Sequence, residues 1–172
     1  MMDPNDKSRA ALVVKGERLQ APNSAGIDPP VTPALAGACD CHHHIFDPRF
    51  PAADGKPHAI VATVDDYLLF RRRLGLSRSV VIAASTDGDD NRCVLDALDR
   101  LGGTSRAVAI ARPGISDAAL DELHERGVRG LRLYFGKCDI PTPEQLEVFG
   151  QCAAKRNWHL QIVASREGNQ VS

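Results

Sequence analysis

The sequence predicts an α/β fold built on a parallel sheet. Runs of β-branched and apolar residues recur down the chain in alternation with helix-length segments, the pattern of strands joined by right-handed crossovers. The helix-length segments carry stop and cap signals at their ends. The polar clusters at 42–44, 85–90 and 132–137 fall where strands end, and parallel strands carry their functional loops at their carboxyl ends.

Each element has its own justification. Residues 1 to 36 are rich in Pro, Asp, Asn and Ser, with Pro29, Pro30 and Pro33 near the end, and read as an extended or disordered arm. Residues 38–45 read as a strand, followed by a Pro-rich loop over 47–57. A helix opens at Val64 and runs to Leu74, with Gly75 as its stop. The β-branched stretch 79–84 is a buried strand. The polar loop 85–90 leads to a helix over about 91–101, closed by Gly102 and Gly103. Residues 106–111 form the third strand, and Ser116 caps a helix that Gly127 ends. Residues 128–135 form the fourth strand. Thr142 is the next N-cap, with Pro143 at the first helical position, where its missing N–H costs nothing. Residues 158–164 form the fifth strand. The tail 165–172 shows no helical apolar period and reads as disordered, which leaves 37–164 as the folded unit.

Composition narrows the function. The chain has 172 residues, enough for one ordinary core, with 43% hydrophobic and 25% charged residues. A net charge of −1 gives no electrostatic footprint for nucleic acid. The basic run Arg71-Arg72-Arg73 sits at a helix end, where it complements the dipole. Five cysteines, odd in number and scattered, point to a reducing compartment rather than a disulfide framework. No apolar run approaches the ~18 residues of a membrane span. The expectation is a cytoplasmic protein with a small-molecule partner.

The chemistry centres on Asp40-Cys41-His42-His43-His44. Residues two apart on a strand share a face, so His42 and His44 can converge on one metal ion or one substrate carbonyl, with Cys41 and His43 turned away. The alternative is a polar strand end with a chance histidine cluster. Arg132 and Tyr134 likewise share a face near the end of the fourth strand and could meet an anionic substrate together. A solvated arginine beside a packed tyrosine is the alternative. Arg129 alternates to the other face, and Arg126 could be structural or functional. His58 is expected in solvent, His124 on a helix far from the mouth, and His159 packed at the base of its strand. Cys41 and Cys93 read as small buried residues.

The stretch 38–47 resembles the first strand of the amidohydrolase superfamily. With Ser85 and Gly88 of the second loop, Asp90-Asn91, Ala111-Arg112-Pro113 and the run 127–132 following in order, residues 36–164 resemble its amidohydrolase-2 branch, within that the 2-pyrone-4,6-dicarboxylate lactonase-like group. The resemblance implies a parallel (β/α) barrel of TIM type with the histidine pair at its mouth. Many superfamily members bind zinc or manganese there, whereas the lactonase-like group works without a required metal. It implies that His42 and His44 polarise the lactone carbonyl, or bind a divalent metal such as zinc, and that arginines grip substrate carboxylates. Ser85 corresponds to the serine at the second-strand mouth, a donor to substrate. Asp87 stands where the group carries His or Tyr.

A full barrel takes about 250 residues, and about five β/α units are legible here. The later histidine and the last-strand aspartate that activates water have no counterpart. The expectation is therefore an incomplete barrel, a truncated lactone hydrolase inactive alone. The alternative is a non-catalytic fragment or assembly module that associates through its unpaired strand edges.

Overall fold

A computed structural model describes residues 14–15, 18–20, 28–135 and 142–164. Five parallel strands form its main sheet: β3 (Cys39–His43), β5 (Arg78–Ile82), β6 (Ser105–Ile110), β7 (Val128–Phe135) and β8 (His159–Ala164), side by side in that order. Four helices connect them: α1 (Val64–Leu74), α2 (Arg92–Leu101), α3 (Asp117–Glu125) and α4 (Pro143–Lys155). This is the alternation expected of a (β/α) barrel, incomplete in that no described strand closes the free edges of β3 and β8.

Local chemistry sets the helix ends. Thr63 and Asp66 form a reciprocal capping box at the start of α1, and Gly75 closes it in the left-handed conformation at φ 73°. Ser116 caps α3 through the Ala119 amide. Thr142 and Gln145 form a second capping box on α4, with Pro143 in the first turn. Each such cap contributes about 1 kcal/mol. α2 turns Cys93, Val94, Ala97, Leu98 and Leu101 inward, one apolar stripe at helical spacing.

Sheet alternation divides the interior. Val81, Ala83, Ala107, Ala109, Leu131 and Leu133 face the helices and belong to the main core. Ile82 and Val108 pair in register on the opposite face and are fully buried, a small apolar floor inside the curl. One layer nearer the carboxyl ends, Ile110, Arg132 and Gln161 come into register. The inner face thus changes from apolar to polar on approaching the strand mouths. Gly130 lies below this layer, where a Cβ would stand 2.7 Å from the His159 ring as it is placed.

Two local features carry no mark in the sequence. The arm over 1–36 contains paired strands: β1 (Val14–Lys15) runs antiparallel to β2 (Arg18–Gln20), which lies parallel to β4 (Ile60–Val61). A two- or three-residue strand has no period of its own to announce it. The tail 165–172 lies outside the described residues. Strict alternation in β3 also fails, because a bulge interrupts its register with β5 between Asp40 and His43. Asp40 and His43, three apart, therefore both meet Tyr67 of α1, one through a hydrogen bond and one by stacking. Cys41 is exposed instead of sharing the buried side with His43. No helix among the described residues is long and apolar enough to cross a membrane.

Candidate active site

His42 and His44 come together at the end of β3 despite the bulge, with ring centroids 5.2 Å apart and planes nearly perpendicular. His44 Nδ1 lies 2.8 Å from the carbonyl oxygen of Ile82. A carbonyl only accepts, so Nδ1 carries the proton and Nε2 of the neutral ring holds a lone pair. Burial lowers the His44 pKa, and the charges of Arg132 and His42 push the same way; the Ile82 bond and Asp87 oppose them. The neutral ring is the resting form.

The tautomer of His42 follows from its neighbours. Its Nε2 lies 3.4 Å from Arg132 Nη1, which only donates, so Nε2 accepts and Nδ1 bears the hydrogen. Gln161 Nε2 faces that Nδ1 at 3.4 Å, donor against donor, while Gln161 Oε1 is buried without a partner. Exchanging the two amide atoms gives the imidazole its acceptor and leaves the amide nitrogen, in place of the oxygen, at the unpartnered position; we assign the amide that way.

Arg132 and Tyr134 complete this wall. The guanidinium lies over the Tyr134 ring, 5.2 Å from its centroid. Arg132 Nε and the Tyr134 hydroxyl are both buried without a hydrogen-bond partner, and no carboxylate pairs with Arg132 among the described residues. Burial raises the Tyr134 pKa; Arg132 and the nearby Ser85 hydroxyl oppose this, though Ser85 makes no well-formed bond to it. Two unpartnered donors and a cation without a carboxylate partner among the described residues thus stand together. They border a cavity of about 460 Å³ at the mouths of β5, β6 and β7, walled also by Ser85, Asp89, Arg112 and Phe149. Ligand sites commonly span ~300–1,000 Å³.

Sequence reasoning missed the group beside Ser85. His58, expected in solvent, is only 6% exposed. Its ring packs against Phe46, its Nε2 lies 3.1 Å from the Phe50 carbonyl, and Asp87 Oδ1 stands 3.6 Å away. Asp87 is itself buried, accepting from the Ala84 amide and the Thr86 hydroxyl. Burial raises its pKa; His58, Ala84, Thr86 and His44 oppose the shift. The loop that carries His58 is also bound through the Ala53 amide to the Thr86 carbonyl. Gly88 has φ 61°, and a Cβ there would sit 3.0 Å from that of Ala53, so the close approach needs glycine. A non-periodic loop gives no sequence signal for such burial; the aspartate directly before that glycine was the one available sign.

The other candidates lie elsewhere. Arg126 pairs with Asp99 at 2.7 Å, a structural contact. Arg129 donates to the His124 and Val128 carbonyls, away from the mouth. His124 accepts the Trp158 indole N–H. His159 is exposed at the base of β8. Cys93 is buried, which pushes its thiol up to about 12. Lys137 lies outside the described residues. Among the described residues no three His, Cys, Asp or Glu side chains converge as a metal-binding group. Two imidazoles fall short of the three or four protein ligands of a zinc site, so these residues do not by themselves make one.

The sequence profile of the family described as Amidohydrolase matches residues 39–170. The chain belongs to this amidohydrolase family. It is 40% identical over 133 residues to a 2-pyrone-4,6-dicarboxylate hydrolase of Comamonas testosteroni, covering 74% of this chain and 43% of that protein. It is 36% identical over 104 residues to a 4-sulfomuconolactone hydrolase of Rhizobium radiobacter, covering 58% and 34%. A crystal structure from Pseudomonas putida, assigned as a 2-pyrone-4,6-dicarboxylic acid hydrolase, superposes with a TM-score of 0.67 at 30% identity, covering 76% of this chain and 50% of the other. The match spans less than half the length of these curated relatives. Both of these curated relatives are named as hydrolases.

Proposed function

We propose that this amidohydrolase chain carries the anion-holding and carbonyl-polarising wall of a site for a carboxylated lactone or similar cyclic ester. The carrying observation is the pair of buried, unpartnered donors, Arg132 Nε and the Tyr134 hydroxyl, beside the two histidines. Arg132 and Tyr134 take a ring carboxylate, and Ser85 at the cavity rim donates to the ring substituents. His44 polarises the lactone carbonyl as the imidazolium, since its Nδ1 proton already goes to Ile82 and only a second proton places a donor on Nε2. A bound carboxylate favours that proton, countering the burial and the Arg132 charge that lower its pKa. His42, held by Arg132 and Gln161, orients the guanidinium. No metal is needed for these roles.

The chain alone binds such a lactone without opening it. Hydrolysis needs a base for water, and among the described residues the carboxylates nearest the mouth are engaged: Asp87 is buried against His58, and Asp89 is paired with Arg112. The test is titration calorimetry of 2-pyrone-4,6-dicarboxylate against the purified chain, with pyrone absorbance followed over the same period. Saturable binding is expected, weakened by roughly 10- to 100-fold in Arg132→Gln, the size of one charge-assisted contact. Binding indifferent to Arg132 refutes the site; loss of the pyrone absorbance refutes the absence of turnover.

A further inference from the structure

A second cationic side chain faces the same cavity. Arg112 leaves the carboxyl end of β6 and lines the space together with Arg132 from the neighbouring strand. Its placement is fixed from two sides. Pro113 follows it, and a residue before proline is confined to extended backbone because the ring collides with a helical one. Asp89, on the loop after β5, stands 2.8 Å from its Nε. A guanidinium is a planar fork of five N–H donors, and a carboxylate on Nε leaves donors on both Nη atoms for something else. Among the described residues nothing else pairs with it.

Stability gives little account of this arrangement. Arg112 is 71% and Asp89 47% exposed along their side chains, and exposed pairs of this kind contribute about 0–1 kcal/mol. The consequence for the cavity is larger. Asp89 offsets one unit of charge at the rim, while Arg132 on the inner wall is offset by none, so two guanidinium groups border an apolar patch of Ile110, Leu133 and Phe149. A flat ring resting on that patch has both arginines among the residues that line its space. Because Arg112 is already held, binding to it costs little further ordering.

We propose that Arg112 is a specificity-determining residue, the second anion anchor that selects ring ligands carrying two anionic groups over those carrying one. This rests on the lactone-site reading above, in which Arg132 is the first anchor. Arg112 discriminates; Arg132 holds whatever enters.

Calorimetry on the whole 172-residue chain tests it, with benzoate and isophthalate as probes that differ by one carboxylate. The wild-type chain is expected to bind isophthalate about tenfold or more tightly than benzoate, the size of one charged contact. Arg112→Gln removes that preference and leaves benzoate affinity within about twofold; Arg112 is exposed, and an unchanged urea midpoint verifies that the variant folds. Arg132→Gln weakens both ligands. No preference in the wild-type chain, a preference that survives Arg112→Gln, or equal loss of both ligands in that variant overturns the proposal. If Arg132→Gln weakens both ligands while Arg112→Gln keeps the preference, the second anchor alone falls. If Arg132→Gln changes neither, the lactone-site reading falls with it.

Discussion

Acidification should destabilise this fold through His43. The ring lies flat on Tyr67, centroids 3.6 Å apart and planes 2° from parallel, and only 9% of the side chain is exposed. Both ring nitrogens are buried without a hydrogen bond, Asp40 standing 3.6 Å from Nδ1. Burial lowers the pKa from 6.5 to about 4; the charges of His44, Arg71 and His42 act in the same direction, and Asp40 opposes them. The unfolded chain therefore binds a proton at a pH where the folded one does not. Stability is full above the unfolded value of 6.5, falls as pH drops below it, and levels off beneath about 4. The loss from this group is roughly 2 kcal/mol by pH 5 and about 3 kcal/mol in full. His43→Phe keeps an aromatic ring on Tyr67 and cannot titrate. Urea unfolding of both proteins at several pH values between 7.5 and 4.5 isolates the effect, since every other titrating group is common to both. The gap between the two curves should shift by about 2 kcal/mol in favour of the variant across that range. Curves that stay parallel would refute the assignment of a neutral, buried His43.

Three further outcomes are expected. Gly88→Ala places a side chain at φ 61° and 3.0 Å from Ala53 Cβ, and should lower the urea-derived stability by about 1–3 kcal/mol; a loss below a few tenths means the loop does not rest there. The chain should self-associate through the free edge of β8, where Ile162 is 56% exposed; size-exclusion chromatography should show a concentration-dependent shift that Ile162→Lys suppresses, and a clean monomer at all concentrations counts against it. After dialysis against zinc and then buffer, elemental analysis should find far less than one zinc per chain, because no further ligand joins the two imidazoles among the described residues; stoichiometric zinc would mean that a third ligand joins them.

What the sequence made legible follows from what is local. Gly75, Ser116 and Thr142 act through bonds to their own helix ends, so their chemistry names the boundary without knowledge of the fold. The inner face of β7, with Arg132 and Tyr134 together, follows from a period of two in the stretch from Gly130 on, which pairs in regular register. Failures come from longer range. The bulge in β3 arises in pairing with β5, so it shifted Cys41 without any mark in the local pattern. His58 is buried by Phe46, Phe50, Thr86 and Asp87, contacts that span up to 29 positions in sequence. The imidazole tautomers depend on the Ile82 carbonyl and on Gln161 across the sheet. Those contacts alone changed His44 from a ready donor to one that needs a second proton.

The stitching of the His58 loop to the turn at 85–87 has a kinetic consequence. The Ala53 amide is bound to the Thr86 carbonyl, the Ala84 amide to Asp87, and the His58 ring to Phe50. These bonds cluster around the contact between His58 and Asp87, so we expect them to open together. In hydrogen–deuterium exchange the amides of Ala53 and Ala84, 31 positions apart, would open as one event with one rate. Ser85 would then gain or lose its place at the cavity rim on that same clock, set by a loop that precedes the first connecting helix.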